Sequence, residues 1–259
     1  MKAFILAAGL GTRLRPLTEH TPKVLVPVAG VPMLERILAG LFRAGLREIG
    51  LNTHHLPEAV TAHMERLRRR FPALALAAFH EPTLLGTGGA LVNAAEFWDD
   101  APLLVWNGDV IADVHPAALE DALRQASGGE GGNVLAVLAV QERAESSHLL
   151  VDEAGRIVGI DAAARGGRRL VARPAGEPRA LAFTGISLLA PAVRGRIARP
   201  GAFDLIDALL EVIAQGGRVL AQDIGAAFWG THGSPREREA LERRLAARPE
   251  WLARFTPPE

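Results

Sequence analysis

Short apolar runs alternate with amphipathic helical stripes through the first half of this 259-residue chain, and that alternation constrains the fold more than any other feature. Residues 3–8 read as a buried strand that runs into a glycine-rich turn. After Pro32, a good first-turn residue, Leu34, Ile37, Leu38, Leu41 and Phe42 share one helical face, and Gly45 ends the helix. Further strands are predicted over 48–52, 74–79 and 103–106, interleaved with helices over 57–70, 87–97 and 116–125. This spacing predicts an open, mostly parallel sheet covered by helices on both sides. Ligands of such sheets bind beyond the carboxyl ends of the strands. Chemistry is therefore expected in the loops after the first, third and fourth strands.

The pattern then changes. Ser127 to Gly132 (SGGEGG) is the clearest composition break and reads as a flexible turn. Beyond it, strands are predicted over 134–140, 149–151, 156–160 and 181–189, with a hairpin turn at 152–155. Leu205, Ile206, Leu209, Leu210 and Ile213 form another helical stripe, a charged helix follows over 236–247, and the tail ends Pro257-Pro258-Glu259. No internal repeat is present, which argues against a solenoid extension.

Composition removes several classes of function. The chain is 49% apolar, so whole-chain disorder is excluded. Its 29 basic residues balance 29 acidic ones, which argues against a nucleic-acid-binding face while leaving room for a local phosphate pocket. With no cysteine, disulfides, thiolate metal sites and cysteine nucleophiles are out. No apolar run reaches the roughly 18 residues of a membrane span. The stretch Ala3 to Leu10 is short for a secretory signal and is followed at once by Arg13 and Arg15, so a cytoplasmic location is expected.

Gly9-Leu10-Gly11-Thr12-Arg13 follows the first strand directly. Its glycines let backbone N–H groups approach a ligand closely, which suits a phosphate cradle. Arg13, Arg15 and Lys23 add positive charge within fifteen residues, in an otherwise neutral chain. Leu14 occupies the third glycine position of a dinucleotide fingerprint, and no GKS or GKT follows, so neither standard loop fits. A tight structural turn is the plain alternative; the charge clustering favours polyanion binding.

The stretch Leu6 to Val28, LAAGLGTRLRPLTEHTPKVLVPV, resembles the signature of the sugar-1-phosphate nucleotidyltransferases. LGTGGAL at 85–91, NGD at 107–109 and TGI at 184–186 follow in the family's order, so that the resemblance covers about residues 1–235. It implies a Rossmann-like open mixed, mostly parallel sheet flanked by helices, of the nucleotide-diphospho-sugar transferase type, with a smaller acceptor-binding lobe. It also implies a single domain, 1–130 forming the nucleotide-binding half and 131–259 the sugar-phosphate half with a C-terminal helix. The implied reaction joins a nucleoside triphosphate to a sugar 1-phosphate, with Mg²⁺ as cofactor and no nucleic-acid or membrane partner. By the same resemblance Gly11, Thr12 and Arg13 hold the triphosphate, Lys23 bridges the reacting phosphates, and Ala8 and Gly9 offer backbone groups to the base. Glu81, Gly86 and Thr87 fall at the nucleotide, and Asn107 and Gly185 at the sugar. Asp109 is the implied Mg²⁺ ligand, and Asp113 a solvated neighbour. A carboxylate at Glu81 accepts equally from uracil N3–H or from guanine N1–H and N2–H₂, so the base stays open. Gly185 reads equally as a glycine tolerated for close strand packing. Without a hexapeptide-repeat extension the chain is similar to the short uridylyl- and guanylyltransferases, and a homo-oligomer is compatible with the sequence.

Two departures bear on activity. Relatives carry a second metal-binding Asp in a W-x-D-x-G-T-P segment, where this chain has Trp229-Gly230-Thr231-His232-Gly233-Ser234-Pro235, with Thr231 at the Asp position. A hydroxyl is a weaker Mg²⁺ ligand than a carboxylate, and imidazole suits Mg²⁺ poorly. Relatives also place Glu-Lys-Pro where Ala162-Ala163-Ala164 stands, with Arg165, Arg168, Arg169 or Arg173 as candidate substitutes. The alternatives are a nucleotide or nucleotide-sugar binding protein with little or no turnover, or a cytidylyltransferase acting on a non-sugar phosphate. His54 and His55 read as solvent-facing, no spacing suggests zinc, and no GxSxG elbow supports a hydrolase.

Overall fold

The computed structural model describes residues 1–128 and 134–257. Most of the Ser127–Gly132 break, the half boundary expected at 130/131 and the last two tail residues lie outside the described residues. In chain order the elements are β1 (Lys2–Leu6), α1 (Leu17–His20), β2 (Pro27–Val28), β3 (Val31–Pro32), α2 (Met33–Arg43), β4 (Glu48–Thr53), α3 (Pro57–Arg70) and β5 (Ala75–His80). Next come α4 (Gly86–Asn93), β6 (Leu103–Asn107), β7 (Val110–Ala112), α5 (Pro116–Ser127), β8 (Val134–Gln141), β9 (Ser147–Val151), β10 (Ile157–Ala162) and β11 (Gly167–Leu170). The chain closes with β12 (Arg179–Leu189), α6 (Arg194–Ile197), α7 (Leu205–Ala214), β13 (Arg218–Asp223), β14 (Trp229–Thr231), α8 (Pro235–Ala246) and α9 (Pro249–Arg254). Proline opens α3, α5, α8 and α9, where a missing N–H costs nothing and its fixed φ suits the first turn.

The chain divides into two compact units. The first comprises Met1–Leu84, Trp106–Asp113 and Phe228–Glu259. Here β1, β4 and β5 run parallel, with Ala3 opposite Ile49 and Glu48 opposite Ala75. Phe4, Ile5, Ile49 and Leu51 are fully buried, as expected for parallel strands covered on both faces. Two short antiparallel pairs complete this unit: β2 with β3, and β14 with β7, the latter placing Thr231 opposite Val110.

The second unit comprises Leu85–Val105 and Val114–Ala227. Its core strand β8 is buried from Val134 to Val140, pairs parallel with β13 and antiparallel with β12, and is covered by α5. From β12 the antiparallel ladder runs through β9 and β10 to β11. The register of β12 slips between Phe183 and Ser187, and Gly185 sits in that slip at φ +83°. A left-handed residue in a bulge is a backbone reason for glycine independent of any sugar.

Candidate active site

The glycine loop of the first unit is fixed by its own neighbours. Gly11 has φ +63°, and a Cβ there would lie 2.7 Å from the Thr18 methyl. The buried Thr18 hydroxyl donates to the Gly11 carbonyl at 2.8 Å, and His55 Nε2 lies 2.7 Å from the Thr18 carbonyl oxygen. Residues Thr12–Leu14 then form one 3₁₀ turn, leaving Thr12 and Arg13 exposed. The Arg13 guanidinium reaches only a loose ion pair with Glu237, 3.8 Å away.

The NGD turn owes its glycine to a close approach. A Cβ on Gly108 would sit 2.6 Å from the Leu6 carbonyl oxygen, and the Gly108 N–H donates to that same oxygen at 2.9 Å. Asn107 closes β6 just before it, and Asp109 follows beside the end of β1. There Lys23 Nζ donates to Asp109 Oδ2 at 2.5 Å, joining residues far apart in sequence. Burial alone would raise the Asp109 carboxyl, but the Lys23 ammonium, by charge and by hydrogen bond, leaves it below the ordinary carboxylate value.

His232, fully buried after β14, lies against the same pair. Its Nε2 is 2.9 Å from the Lys23 carbonyl oxygen and its Nδ1 3.3 Å from the Asp109 carbonyl oxygen, which also accepts the His232 backbone N–H at 3.2 Å. Burial pushes the imidazole below its usual pKa, so at neutral pH the ring is uncharged.

Glu81 is fully buried. Asn52 Nδ2 donates to its Oε1 at 2.7 Å while Asn52 Oδ1 accepts from the Ala7 N–H at 2.6 Å, so one amide ties the carboxylate to β1's exit next to Ala8 and Gly9. His54 Nδ1 lies 2.8 Å from the Glu81 carbonyl oxygen. The two loop histidines are thus partly buried and bonded to backbone, contrary to the solvent-facing expectation. Burial of their carbonyl partners outweighs loop position. Asp113 likewise is ion-paired, to Arg254 at 2.6 Å, rather than merely solvated.

The first unit therefore holds Ala8, Gly9, Gly11, Thr12, Arg13, Lys23, Glu81, Asn107 and Asp109, whereas Gly86, Thr87 and Gly185 belong to the second. In that unit the Thr87 hydroxyl accepts from the Leu205 N–H at 2.7 Å and donates to Asp204 at 3.2 Å. A Cβ on Gly86 would lie 2.5 Å from the Phe203 carbonyl oxygen, so the LGTGG glycines serve close packing there. Arg165 is committed to Asp204 and Asp207, at 3.1 and 2.9 Å, and Arg168 to Glu177, at 3.1 Å. Thr18 and Asn52 escaped the sequence reading, and the contacts of His55 and His232 did so too, because each acts through backbone partners distant in the chain. The placement of His54-His55 just past a strand was the one available signal.

A glycine loop at a strand exit, with a lysine–carboxylate pair beside it, is compatible with a nucleotide-binding transferase. The profile of the Nucleotidyl transferase family matches residues 2–161, and the chain belongs to that family. Among its relatives is an N-acetylmuramate alpha-1-phosphate uridylyltransferase of Caulobacter vibrioides, 31% identical over 245 residues, 94% of this chain and 96% of that protein. A mannose-1-phosphate guanyltransferase beta-B of Xenopus laevis is 31% identical over 243 residues, 92% of this chain but 62% of the longer protein. The fold is that of the nucleotide-diphospho-sugar transferases. A putative glucose-1-phosphate thymidylyltransferase from Bacillus anthracis, in complex with a sucrose, superposes with TM-score 0.74 at 20% identity over 94% of each chain. No helix among the described residues is long and apolar enough to cross a membrane.

Proposed function

We propose that this chain transfers a nucleoside monophosphate from a nucleoside triphosphate to a sugar 1-phosphate, giving a nucleoside-diphosphate sugar and pyrophosphate. The observation that carries this reading is the Lys23–Asp109 pair at the rim of the Gly9–Gly11 loop. A phosphate oxygen of the sugar 1-phosphate attacks the α-phosphorus in line. The new P–O bond forms as the α–β bridge breaks, and its electrons leave with pyrophosphate. No protein nucleophile is needed, so the protein's work is positioning and charge neutralisation. The loop N–H groups of Gly11 and Thr12 receive the phosphates, exposed Arg13 swings onto the departing pyrophosphate, and Lys23 sits between the reacting phosphates. Ala8, Gly9 and Glu81 take the base, the carboxylate of Glu81 accepting from uracil or guanine. Asn107 faces the sugar. A cytoplasmic location, where nucleoside triphosphates are available, fits the reading.

Members of this family generally use a divalent metal ion. Among the described residues no three His, Cys, Asp or Glu side chains form a cage. One carboxylate suffices where triphosphate and water oxygens complete the shell, as Mg²⁺ commonly accepts. Asp109, whose carboxylate keeps lone pairs beyond the one given to Lys23, would be its protein ligand. When bound, Mg²⁺ neutralises phosphate charge.

The test is pyrophosphate release from UTP, GTP, CTP, dTTP and ATP with Mg²⁺ across a panel of sugar 1-phosphates. Release with a uridine or guanosine donor is expected. One observation favours a binding protein instead: Thr231 stands opposite Val110, next to Asp109, without a second carboxylate. Thermal stabilisation by a nucleotide without turnover on any acceptor would decide for that reading.

A further inference from the structure

Lys23 and Asp109 approach from separate loops, and nothing local in sequence holds their Cα atoms at the separation their side chains require. A lysine has four rotatable side-chain bonds, so the position of Nζ is only as defined as the peptide that carries it. The side chain found against both peptides is His232. Its Nε2 lies 2.9 Å from the Lys23 carbonyl oxygen, and its Nδ1 and backbone N–H lie 3.3 and 3.2 Å from the Asp109 carbonyl oxygen. A ring nitrogen meets a carbonyl favourably only by donating. A neutral ring has one N–H, and the shorter contact assigns it to Nε2 and Lys23, while the backbone N–H serves Asp109. Fully buried His232 is thus a strut between the two turns, its ring on one and its backbone on the other.

We propose that His232 is a positioning residue for nucleotidyl transfer: its ring N–H holds the peptide of Lys23 while its backbone N–H holds that of Asp109, and the residue so sets the ammonium–carboxylate pair. This rests on the reaction proposed above. The strut matters because Lys23 is proposed to lie between the reacting phosphates, where a misplacement of about 1 Å costs rate.

The chain itself supplies a probe of the strut. Lys2 and Lys23 are its two lysines. Amine-reactive labelling read by fragment-ion mass, which separates Lys2 from the Met1 α-amine, therefore reports Lys23 against an internal control, Lys2, whose ammonium is ion-paired with Glu48 at 3.7 Å. Two variants separate hydrogen bonding from filling of space. In His232→Gln the amide nitrogen can reach the place of Nε2, whereas in His232→Asn it reaches only that of Nδ1. Labelling and steady-state kinetics are measured on both, well below each melting temperature.

His232→Asn is expected to raise the Lys23/Lys2 labelling ratio several-fold. It should lower kcat about 10- to 100-fold, the scale of a misplaced catalytic group, with the KM for nucleotide within about threefold of wild type. His232→Gln should restore most of both. A change in labelling without a change in kcat, or the reverse, overturns the proposal, as does a Gln variant as impaired as the Asn variant. A wild-type chain without turnover on any acceptor refutes the reaction itself. In that event the labelling ratio alone decides whether His232 holds the pair, and an unchanged ratio refutes the strut.

Discussion

Asp152 shows how one side chain can organise a turn. Its carboxylate is fully buried and accepts from the N–H groups of Ala154, Arg156 and Ala175 and from two nitrogens of the Arg156 guanidinium. Burial alone would raise its pKa, but the Ala175 N–H and the Arg156 guanidinium outweigh that and leave it below the ordinary value. A depressed carboxyl stabilises the fold above its unfolded pKa of about 3.9 and loses that contribution as pH falls through the native value. Asp152→Asn should therefore cost about 2 kcal/mol at pH 7 in urea unfolding, the scale of a few lost charge-assisted hydrogen bonds. The gap from wild type should narrow below about pH 4, and a gap independent of pH would contradict the account. At the proposed active site, Arg13→Ala should lower kcat by about 10²-fold or more, as for loss of one transition-state donor, with little effect on melting temperature because the side chain is exposed. Thr231→Asp should raise metal affinity or kcat if the missing carboxylate limits the reaction, and an unchanged metal titration would remove that limit. As candidates, Arg13 and Lys23 were legible in the sequence because charge clustered beside glycines is unusual in a neutral chain, and Asp109 was legible only through the resemblance that NGD at 107–109 carries. Asn52 and His232 were not, since a neutral side chain that bonds a distant carbonyl leaves no local pattern.

Elements with strong periodicity or a proline start were the readable ones. Helix α3 spans Pro57–Arg70 as its spacing predicts, and α2 ends at Arg43 ahead of Gly45 at φ +87°. Helix α4 stops at Asn93, short of the Phe97 expected, and Ala94 to Phe97 continue as turns. Just beyond, Trp98 is buried and its indole donates to the Ala101 carbonyl at 3.2 Å. Three-residue strands such as β7 and β14 are too short to show alternation, yet they carry the turns around Asp109 and His232. The glycines of α4 illustrate the same gap between motif and reason. A Cβ on Gly88 would fall 2.1 Å from the Phe203 ring, and the Gly88 N–H donates to the Phe203 carbonyl at 2.9 Å. Gly88→Ala should destabilise by about 1–3 kcal/mol through overpacking. Adding Phe203→Ala should return part of that loss, a coupling that a double-mutant cycle in urea reads directly. Strict additivity of the two changes would place the strain elsewhere.

At the scale of the whole chain, the first unit is assembled from three stretches, and its last stretch begins at Phe228. Composition marks the break at 127–132, but no shift in residue type marks the crossings after Leu84, Val105, Asp113 and Ala227, because one falls inside strand β6 and the others in short connections like any other. What ties the terminal stretch to the first is legible only in three dimensions. The fully buried Arg36 guanidinium donates to the carbonyls of Val28, Ala29 and Phe255, at 2.8, 3.0 and 3.2 Å. Phe228 packs against Trp251 and Phe255, with ring centroids 4.3 and 5.6 Å apart, immediately before the strand that delivers Thr231 and His232. Deleting residues from Pro249 onward would strip one acceptor from Arg36 and uncover the Phe228 ring, although it removes no residue proposed to touch substrate. Re-exposing one large aromatic costs about 2–3 kcal/mol, and for a chain of this size each kcal/mol lowers the melting temperature by about 2–4 °C. The truncated protein should therefore melt about 4–12 °C lower. Its kcat should fall as well, since β14 loses the aromatic support behind His232. A truncated chain with wild-type kcat would show that the site is held without its C-terminal stretch, and that the Arg36 and Phe228 contacts stabilise the fold alone.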